Sequence, residues 1–177
     1  MPEDLVDAHK KGALHFHDMD YYIQDMFNCC LVNIKDMLDN GTVMNDKMIE
    51  SPKSFQVACT VMTQIISANC GGQYGGQSVD IKYLGKYLKK TEDKERKKLM
   101  ELFGERLSKD LLDDLVEKKV SDELKTGVQT IQYQLNTFMT TNGQSPFVTL
   151  FLHIDVEDPY IEYVARIVEE IFKQRME

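Results

Sequence analysis

The chain has 177 residues, 42% of them hydrophobic, and this length fits one domain spanning 1–177. Its formal net charge of −8 argues against a surface that holds nucleic acid through phosphate contacts. No apolar run approaches the roughly 18 residues of a membrane span and no signal-peptide core is visible, so we expect no membrane partner and a cytoplasmic location. The four cysteines lack metal-finger spacing, which predicts reduced thiols and no disulfide scaffold.

Short elements are predicted near the start of the chain. A helix is predicted from Glu3 to Lys11, with Gly12 as a normal residue at its C-terminal end. The apolar run at 28–33 predicts a buried strand, and a helical turn is predicted over 34–40, closed by Asn40-Gly41.

Three longer stripes with apolar residues at three- and four-residue spacing predict helices. The first starts at Ser51-Pro52, ends before Gly71-Gly72 and carries Phe55, Ala58, Cys59, Met62, Ile65 and Ile66. After an exposed charged stretch, the second joins Leu99, Leu102, Phe103, Leu107, Leu111 and Leu115. The third starts at a Ser121 cap and carries Leu124, Val128, Ile131, Leu135 and Phe138 as a heptad-like seam. Within that seam, Gly127 costs about 1 kcal/mol relative to Ala.

A β-rich run at 147–153 predicts a second buried strand, after Pro146. Asp158-Pro159 caps a final predicted helix, on which one face carries Ile161, Val164, Ala165, Val168 and Phe172. The chain is therefore predicted to be a helix-rich α/β protein with about five helices and two strands.

Chemically active residue types concentrate in two neighbouring segments, His15-Phe16-His17-Asp18-Met19-Asp20-Tyr21 and Phe27-Asn28-Cys29-Cys30-Leu31. Thiols, imidazoles and carboxylates exchange protons and electrons in the pH range of a cell, so this mixture indicates a binding or redox site. A zinc or iron site is one alternative, although the ligand spacing is not diagnostic. A polar loop and small buried thiols are the structural alternatives.

Two further segments carry polar or glycine-rich signals. The glycine-rich run at 71–78 has no Lys-Ser/Thr ending, so it indicates a tight turn after a helix more than a phosphate loop. Asn142-Gly143 is a turn signal, and the amides and hydroxyls of 141–145 could either bind a nucleotide or cap a helix-to-strand connection.

Taken together, the segments at 8–12, 17–21, 27–29, 74–78 and 142–147 resemble the anaerobic (class III, glycyl-radical) ribonucleoside-triphosphate reductases, and they follow the order of that family. The resemblance runs from about the fourth residue to the middle of the 150s. It implies part of a ten-stranded α/β barrel, with Cys29 as an active-site cysteine that exchanges hydrogen or forms a radical intermediate. It also implies substrate contacts from His17, Asp18, Asn28, Asn142 and Gln144, and no metal ligand.

The resemblance carries expectations about activity and partners. The whole enzyme would convert ribonucleoside triphosphates to deoxyribonucleoside triphosphates, with a glycyl radical made by a radical-SAM activating enzyme and with formate or a dithiol as reductant. The family is dimeric and binds nucleotide effectors between interface helices, which would place the helices at 53–70 and 121–140 near an allosteric site. Because all four cysteines lie in the first half and no glycyl-radical loop is present, we expect an inactive fragment of the catalytic subunit.

Two hypotheses remain open from the sequence. The alternative to the reductase fragment is a small metal- or nucleotide-binding regulatory module derived from that family. Strand alternation adds one geometric expectation: only one of the adjacent cysteines can face a cavity, and the Phe27-Asn28-Cys29 match favours Cys29 over Cys30.

Overall fold

The computed structural model of the protein describes residues 1–16, 27–72, 74–139, 145 and 147–176. Within these residues the chain forms α1 (Glu3–Lys10), β1 (Phe27–Leu31), α2 (Ile34–Asp39), β2 (Thr42–Met44), β3 (Lys47–Ile49), α3 (Phe55–Gly72), β4 (Tyr74–Asp80), α4 (Gly85–Phe103), α5 (Lys109–Thr137), β5 (Phe147–Phe151) and α6 (Ile161–Met176). Short 3₁₀ turns at Ile81–Leu84 and Gly104–Arg106 precede and follow α4. None of the helices in this part of the chain is long and apolar enough to cross a membrane.

Three of the strands form a parallel sheet in the order β1-β4-β5. Parallel neighbours need long crossovers, and the chain supplies them with α2, the β2–β3 hairpin and α3 before β4, and with α4 and α5 before β5. One face of the sheet packs on the helices: Val79 is completely buried, and Val148 and Leu150 pack against the same core. The helices therefore cover one face of the sheet within the described chain.

The two longest crossover helices, α3 and α5, pack against each other. Every residue of the first predicted stripe lies in α3 and is at most 1% exposed, namely Phe55, Ala58, Cys59, Met62, Ile65 and Ile66. On α5, Leu124, Val128 and Ile131 are at most 5% exposed. A Cβ atom at Gly127 would stand 2.4 Å from Phe55 Cε1 and 3.1 Å from Cys59 Sγ. Gly127 is therefore the position that lets the two helices approach closely, which explains a glycine inside a long helix.

The start of α3 is held by side chains from other helices. The Phe55 N–H donates to Thr91 Oγ1 at 2.9 Å, and the Gln56 N–H donates to Glu123 Oε1 at 3.0 Å. Orphan N–H groups at a helix start need acceptors, and here α4 and α5 provide them. The predicted start at Ser51-Pro52 was therefore wrong by about one turn, because the capping groups are distant in sequence.

A partly buried polar contact joins α2 to α4. The Asp39 carboxylate accepts hydrogen bonds from Lys86 Nζ at 2.8 Å and from the Tyr87 hydroxyl at 2.9 Å. Burial by itself raises the pKa of Asp39, but the two hydrogen bonds together with the positive charges of Lys86 and Lys35 outweigh it, so the pKa lies below its usual value. Burial, with a smaller contribution from Asp39, raises the pKa of Tyr87 to about 12.

The prediction for α5 was wrong in its start. The helix begins at Lys109 with Ser108 as its cap, whose Oγ accepts from the Leu111 N–H at 3.3 Å, and Ser121 lies exposed inside it. The predicted stripe from 99 to 115 was also wrong, since a 3₁₀ turn interrupts it at Gly104–Arg106 and Leu102 is 63% exposed. The 3₁₀ turn separates α4 from α5, so the predicted stripe is divided between two helices.

Other elements match or depart from the predictions in simple ways. The helices at 3–11 and 34–40 are confirmed within a residue or two of their ends. A strand does form at Phe27–Leu31, but the prediction that it is buried was wrong, because Cys29 is exposed and Leu31 is 73% exposed. The run at 147–153 does form β5, but Phe147 is 68% exposed and the strand is not buried in the described chain. The last helix is confirmed, but two residues of its predicted face, Ala165 and Phe172, are exposed. Its buried face is formed by Val164, Ile167, Val168 and Ile171. The glycine-rich run at 71–78 is the end of α3 and the central strand β4, which the sequence reading missed.

Candidate functional site

Cys29 lies on the face of the sheet that the described helices leave open. It occupies the middle of β1, its Cα partner on β4 is Gly76, and Gly76 is in turn paired with Phe147 on β5. The Cys29 thiol is exposed, and so are Leu31 at 73% and Phe147 at 68%. A thiol beside a residue without a side chain, on an apolar face, has room for a ligand to approach.

Cys30 faces the other way, as strand alternation predicts. It is partly buried and packs against the hydrophobic core. Burial, and then the neighbouring Cys29, raise the pKa of Cys30. Cys30 is therefore less accessible than the exposed Cys29.

The two remaining cysteines belong to the helix core. Cys59 and Cys70 are both buried on α3. Burial, and then the Glu123 carboxylate, raise the pKa of Cys59 well above its ordinary value. Burial raises the pKa of Cys70 too, although a hydrogen bond with Gln77 partly offsets this. Both thiols are structural, as the sequence reading expected.

The central strand is anchored by one buried amide. Gln77 is 2% exposed, and its Cα partner on β1 is Cys30. Its Nε2 donates to the Ile66 carbonyl at 2.8 Å, and its Oε1 accepts from Asn69 Nδ2 at 3.3 Å. These bonds fix the end of α3 against β4, one residue after the glycine that stands beside Cys29. Sequence reasoning missed Gln77, since a glutamine in a glycine-rich run gives no local sign of burial.

Most of the predicted substrate contacts lie outside the described residues. This holds for His17, Asp18, Asn142 and Gln144. The backbone of Asn28 lies in β1, but its side chain is not among those that the structure describes. Of the nearby histidines, His15 contacts His9 with ring centroids 5.5 Å apart, and His9 Nδ1 accepts from the Phe16 N–H at 3.0 Å. Among the described residues no group of three or more His, Cys, Asp or Glu side chains is placed to hold a metal ion.

A second candidate site is a cavity of about 750 Å³ between the β2–β3 hairpin, α3 and the end of α5, here called the hairpin cavity. It is lined by Val43, Met44, Asn45, Lys47, Ile49, Gln64, Ser67, Ala68 and Phe138. The hairpin turns through Asn45 and Asp46, whose φ angles are 51° and 61°. Asn and Asp tolerate this left-handed region, so the Asn-Asp pair was a usable hairpin signal that the sequence reading overlooked.

Comparison with known proteins identifies relatives over most of this chain. A family model described as "Anaerobic ribonucleoside-triphosphate reductase" matches residues 1–177. The reductase of that name from Enterobacteria phage T4 is 38% identical over 159 residues, which is 85% of this chain and 24% of that protein. Those of Haemophilus influenzae and Escherichia coli are 37% and 34% identical over 152 residues, which is 84% of this chain and 21% of each protein. The chain thus spans about a fifth to a quarter of the length of the curated relatives it matches.

The fold is similar to solved structures as well. A crystal structure of the anaerobic ribonucleotide reductase from Thermotoga maritima in complex with dATP and CTP superposes with a TM-score of 0.60 over 97% of this chain and 28% of that chain. A second structure of that enzyme, with dATP bound in the specificity site, gives 0.59 over the same shares. Sequence identity in both is 16%, so these structures support the fold alone.

Proposed function

The chain belongs to the anaerobic ribonucleoside-triphosphate reductase family, and we propose that it forms the part of such a reductase that carries an active-site cysteine, Cys29. The observation that carries the proposal is the orientation of Cys29. Its thiol is exposed on the open face of a parallel sheet, next to Gly76, while Cys30 packs into the core. A separate regulatory module is the less favoured alternative, since the family match runs through all of 1–177.

The proposed reaction of the whole enzyme replaces the ribose 2′ hydroxyl by hydrogen. The 2′ hydroxyl leaves as water, and two reducing equivalents come from formate, oxidised to carbon dioxide, or from a dithiol, oxidised to a disulfide. A glycyl radical, installed by a radical-SAM activating enzyme, supplies the radical chemistry. In this scheme Cys29 exchanges a hydrogen atom at the ribose or forms the radical intermediate. His17, Asp18, Asn28, Asn142 and Gln144 remain predicted substrate contacts.

We further propose that the parallel sheet is one segment of a ten-stranded barrel. The sheet is wound in one direction, β1-β4-β5, and the described helices lie on one face. The opposite face carries Leu31, Phe147 and Phe151, which are 45–73% exposed. An apolar face of this kind needs a cover, and the inside of a closed barrel would provide it.

Substitution of the two adjacent cysteines in a full-length enzyme with this sequence tests the proposal. Cys29→Ala should abolish deoxynucleotide formation, because the reacting thiol is lost. Cys30→Ala should keep substantial activity, because it removes only a partly buried side chain from the core. Retained activity in Cys29→Ala together with its loss in Cys30→Ala would show that the assignment of the two faces is wrong.

The hairpin cavity supports a proposal for the effector site. It lies between α3 and the end of α5, the helices that the family resemblance places near an allosteric site. Its volume of about 750 Å³ is in the range of small-molecule sites. Val43 in the cavity wall is 65% exposed, and Met48 and Met139, which are next to wall residues in the sequence, are 61% and 76% exposed. We propose that a deoxynucleoside triphosphate such as dATP binds in this cavity, and that a second subunit covers the apolar rim.

Light scattering after size-exclusion chromatography, with and without dATP, tests this part. The expected result is an increase in dimer with dATP, weakened by Lys47→Met, which removes the cation from the cavity wall. Lys97→Met, on the exposed surface of α4, is the matched control. A dATP-independent monomer, or equal behaviour of the two variants, would contradict the effector assignment.

A further inference from the structure

A cleft of about 320 Å³ lies at the carboxyl edge of the parallel sheet, and the proposed reductase chemistry does not use it. Its walls come from the segments that follow each strand: α2 after β1, the 3₁₀ turn at Ile81–Leu84 and the start of α4 after β4, and residues 155–160 after β5. In open α/β sheets, ligands bind in the crevice outside the carboxyl ends of the strands. This cleft, here called the carboxyl-edge cleft, therefore occupies a typical ligand position.

One wall of the carboxyl-edge cleft is cationic. It carries Lys35, Lys82 and Lys86, and the first and last of these pair with Asp39 at 3.5 and 2.8 Å. Lys82 differs from these two lysines because it does not pair with Asp39. Its side chain is 19% exposed, and its ammonium lies 4.0 Å from Asp80 Oδ2.

The Lys82 ammonium also lies 3.5 Å from His153 Nδ1 and 5.3 Å from the centroid of the Tyr83 ring. The distances to Asp80 and His153 are both long for a charge-assisted hydrogen bond. Among the described residues, the acceptors near this ammonium are therefore distant ones, and Lys82 lies in the wall of a cavity that can hold an anionic group.

The opposite wall is anionic and comes from the loop before α6. It carries Asp155, Glu157 and Asp158. Asp155 Oδ1 accepts from the Glu157 N–H at 3.0 Å, and Asp158 Oδ1 accepts from the Tyr160 N–H at 2.7 Å, so one oxygen of each aspartate is used within the loop. The Glu157 side chain is exposed. No triplet of metal-ligating side chains occurs in the described parts of the chain, so this wall suits an ammonium group better than a metal ion.

The charges of the two walls constrain the ligand. Three cations stand against four carboxylates when Asp39 is included, so a polyanion is disfavoured and a ligand with both charges is favoured. Between the walls lie Tyr83, Pro159 and Tyr160, whose rings give an apolar surface. The volume is at the lower end of small-molecule sites.

We propose that the carboxyl-edge cleft binds a small zwitterion of the amino-acid class with an apolar or aromatic side chain. Its carboxylate binds Lys82, its ammonium binds the carboxylates of 155–158, and its side chain lies against Tyr83 and Tyr160. This inference goes beyond the proposed reductase function and does not depend on it.

Binding of three matched probes to the intact chain tests the proposal. The probes are phenylalanine, 3-phenylpropanoate, which lacks the ammonium, and 2-phenylethylamine, which lacks the carboxylate. NMR titration should give saturable binding of phenylalanine, about tenfold tighter than either analogue, because each analogue loses one charge-assisted contact.

Variants then assign each contact. Lys82→Met should weaken phenylalanine about tenfold, to the level of 2-phenylethylamine, while Lys97→Met should have no effect. Glu157→Gln should weaken phenylalanine and leave 3-phenylpropanoate unchanged, with Glu101→Gln as control. Circular dichroism checks that each variant is folded. Absence of saturable phenylalanine binding, equal affinity for all three probes, or identical behaviour of Lys82→Met and Lys97→Met would each overturn the proposal.

Discussion

The close contact at Gly127 gives a prediction in which two opposing effects can be weighed. Replacing this glycine by alanine favours the helix by about 1 kcal/mol, since alanine loses less backbone entropy. The new methyl group, however, would stand 2.4 and 2.6 Å from two ring carbons of Phe55. Phe55 is completely buried, so its ring is enclosed by other core side chains, and the hydrogen bond from its N–H to Thr91 Oγ1 at 2.9 Å holds its backbone in place.

Overpacking of this kind costs about 1–3 kcal/mol, and the absence of space around Phe55 places Gly127→Ala in the upper part of that range. The net result expected is a loss of about 1–2 kcal/mol in the free energy of unfolding. For a chain of this length, the melting temperature should fall by roughly 2–8 °C. Urea denaturation followed by far-UV circular dichroism measures the free energy directly.

Two further variants isolate the cause. Ser121→Ala, at an exposed position of the same helix, should stabilise the chain slightly through helix propensity alone. In a Phe55→Leu background, Gly127→Ala should become neutral or stabilising, because the clashing ring is absent. A Gly127→Ala variant as stable as the parent, with no coupling to position 55, would refute the proposed packing between α3 and α5.

Three more predictions follow from burial and charge. Ile131→Asp should unfold the chain rather than give a folded monomer, because Ile131 is 1% exposed and the new charge would be buried without a partner. Tyr133→Asp, at a position that is 70% exposed, should keep the circular dichroism spectrum of the parent chain. The pKa of Asp39 is lower in the folded state than in the unfolded state. Its contribution to stability is therefore full above the unfolded pKa of about 4 and is lost as the pH falls through the folded pKa. Asp39→Asn should remove this pH dependence, so that the free energy of unfolding measured with urea falls less steeply in acid. In native alkylation followed by mass spectrometry, Cys29 should react first and Cys59 only on unfolding, since Cys59 is completely buried with a raised pKa; equal rates for the two thiols would contradict the described orientation.

The spacing of apolar residues along the sequence predicted the helices that bury one continuous stripe, of which α3 is the clearest. The α3 stripe was read correctly because each of its six members contacts the same core. The start of α5 was misplaced because Ser121 was taken as its cap, whereas the helix begins after the 3₁₀ turn at Gly104–Arg106 with Ser108 as its cap. Strand β4 was missed because its central position, with partners on both sides, comes from tertiary pairing that glycines do not signal.

The candidate sites divide in the same way. Alternation along one strand was enough to predict that Cys29 and Cys30 face opposite sides, since the period of a strand is local information. The carboxyl-edge cleft was not predictable, because Lys82 and Glu157 are far apart in sequence and meet only through the sheet order. The hairpin cavity is an intermediate case, in which the helices were predicted and the hairpin that closes the cavity was not.

The orientation of Cys29 depends on contacts that its neighbours Cys30 and Gln77 make on the buried face of the sheet. A slip of one residue in the pairing of β1 with β4 would turn every side chain of β1 to the other face. The present register is stabilised from the buried side, where Cys30 packs on the core and Gln77 is bonded to the Ile66 carbonyl and to Asn69. Breaking those bonds would leave a buried amide unsatisfied, at a cost of about 1–3 kcal/mol. The helices that cover one face of the sheet therefore also decide which thiol is presented on the other.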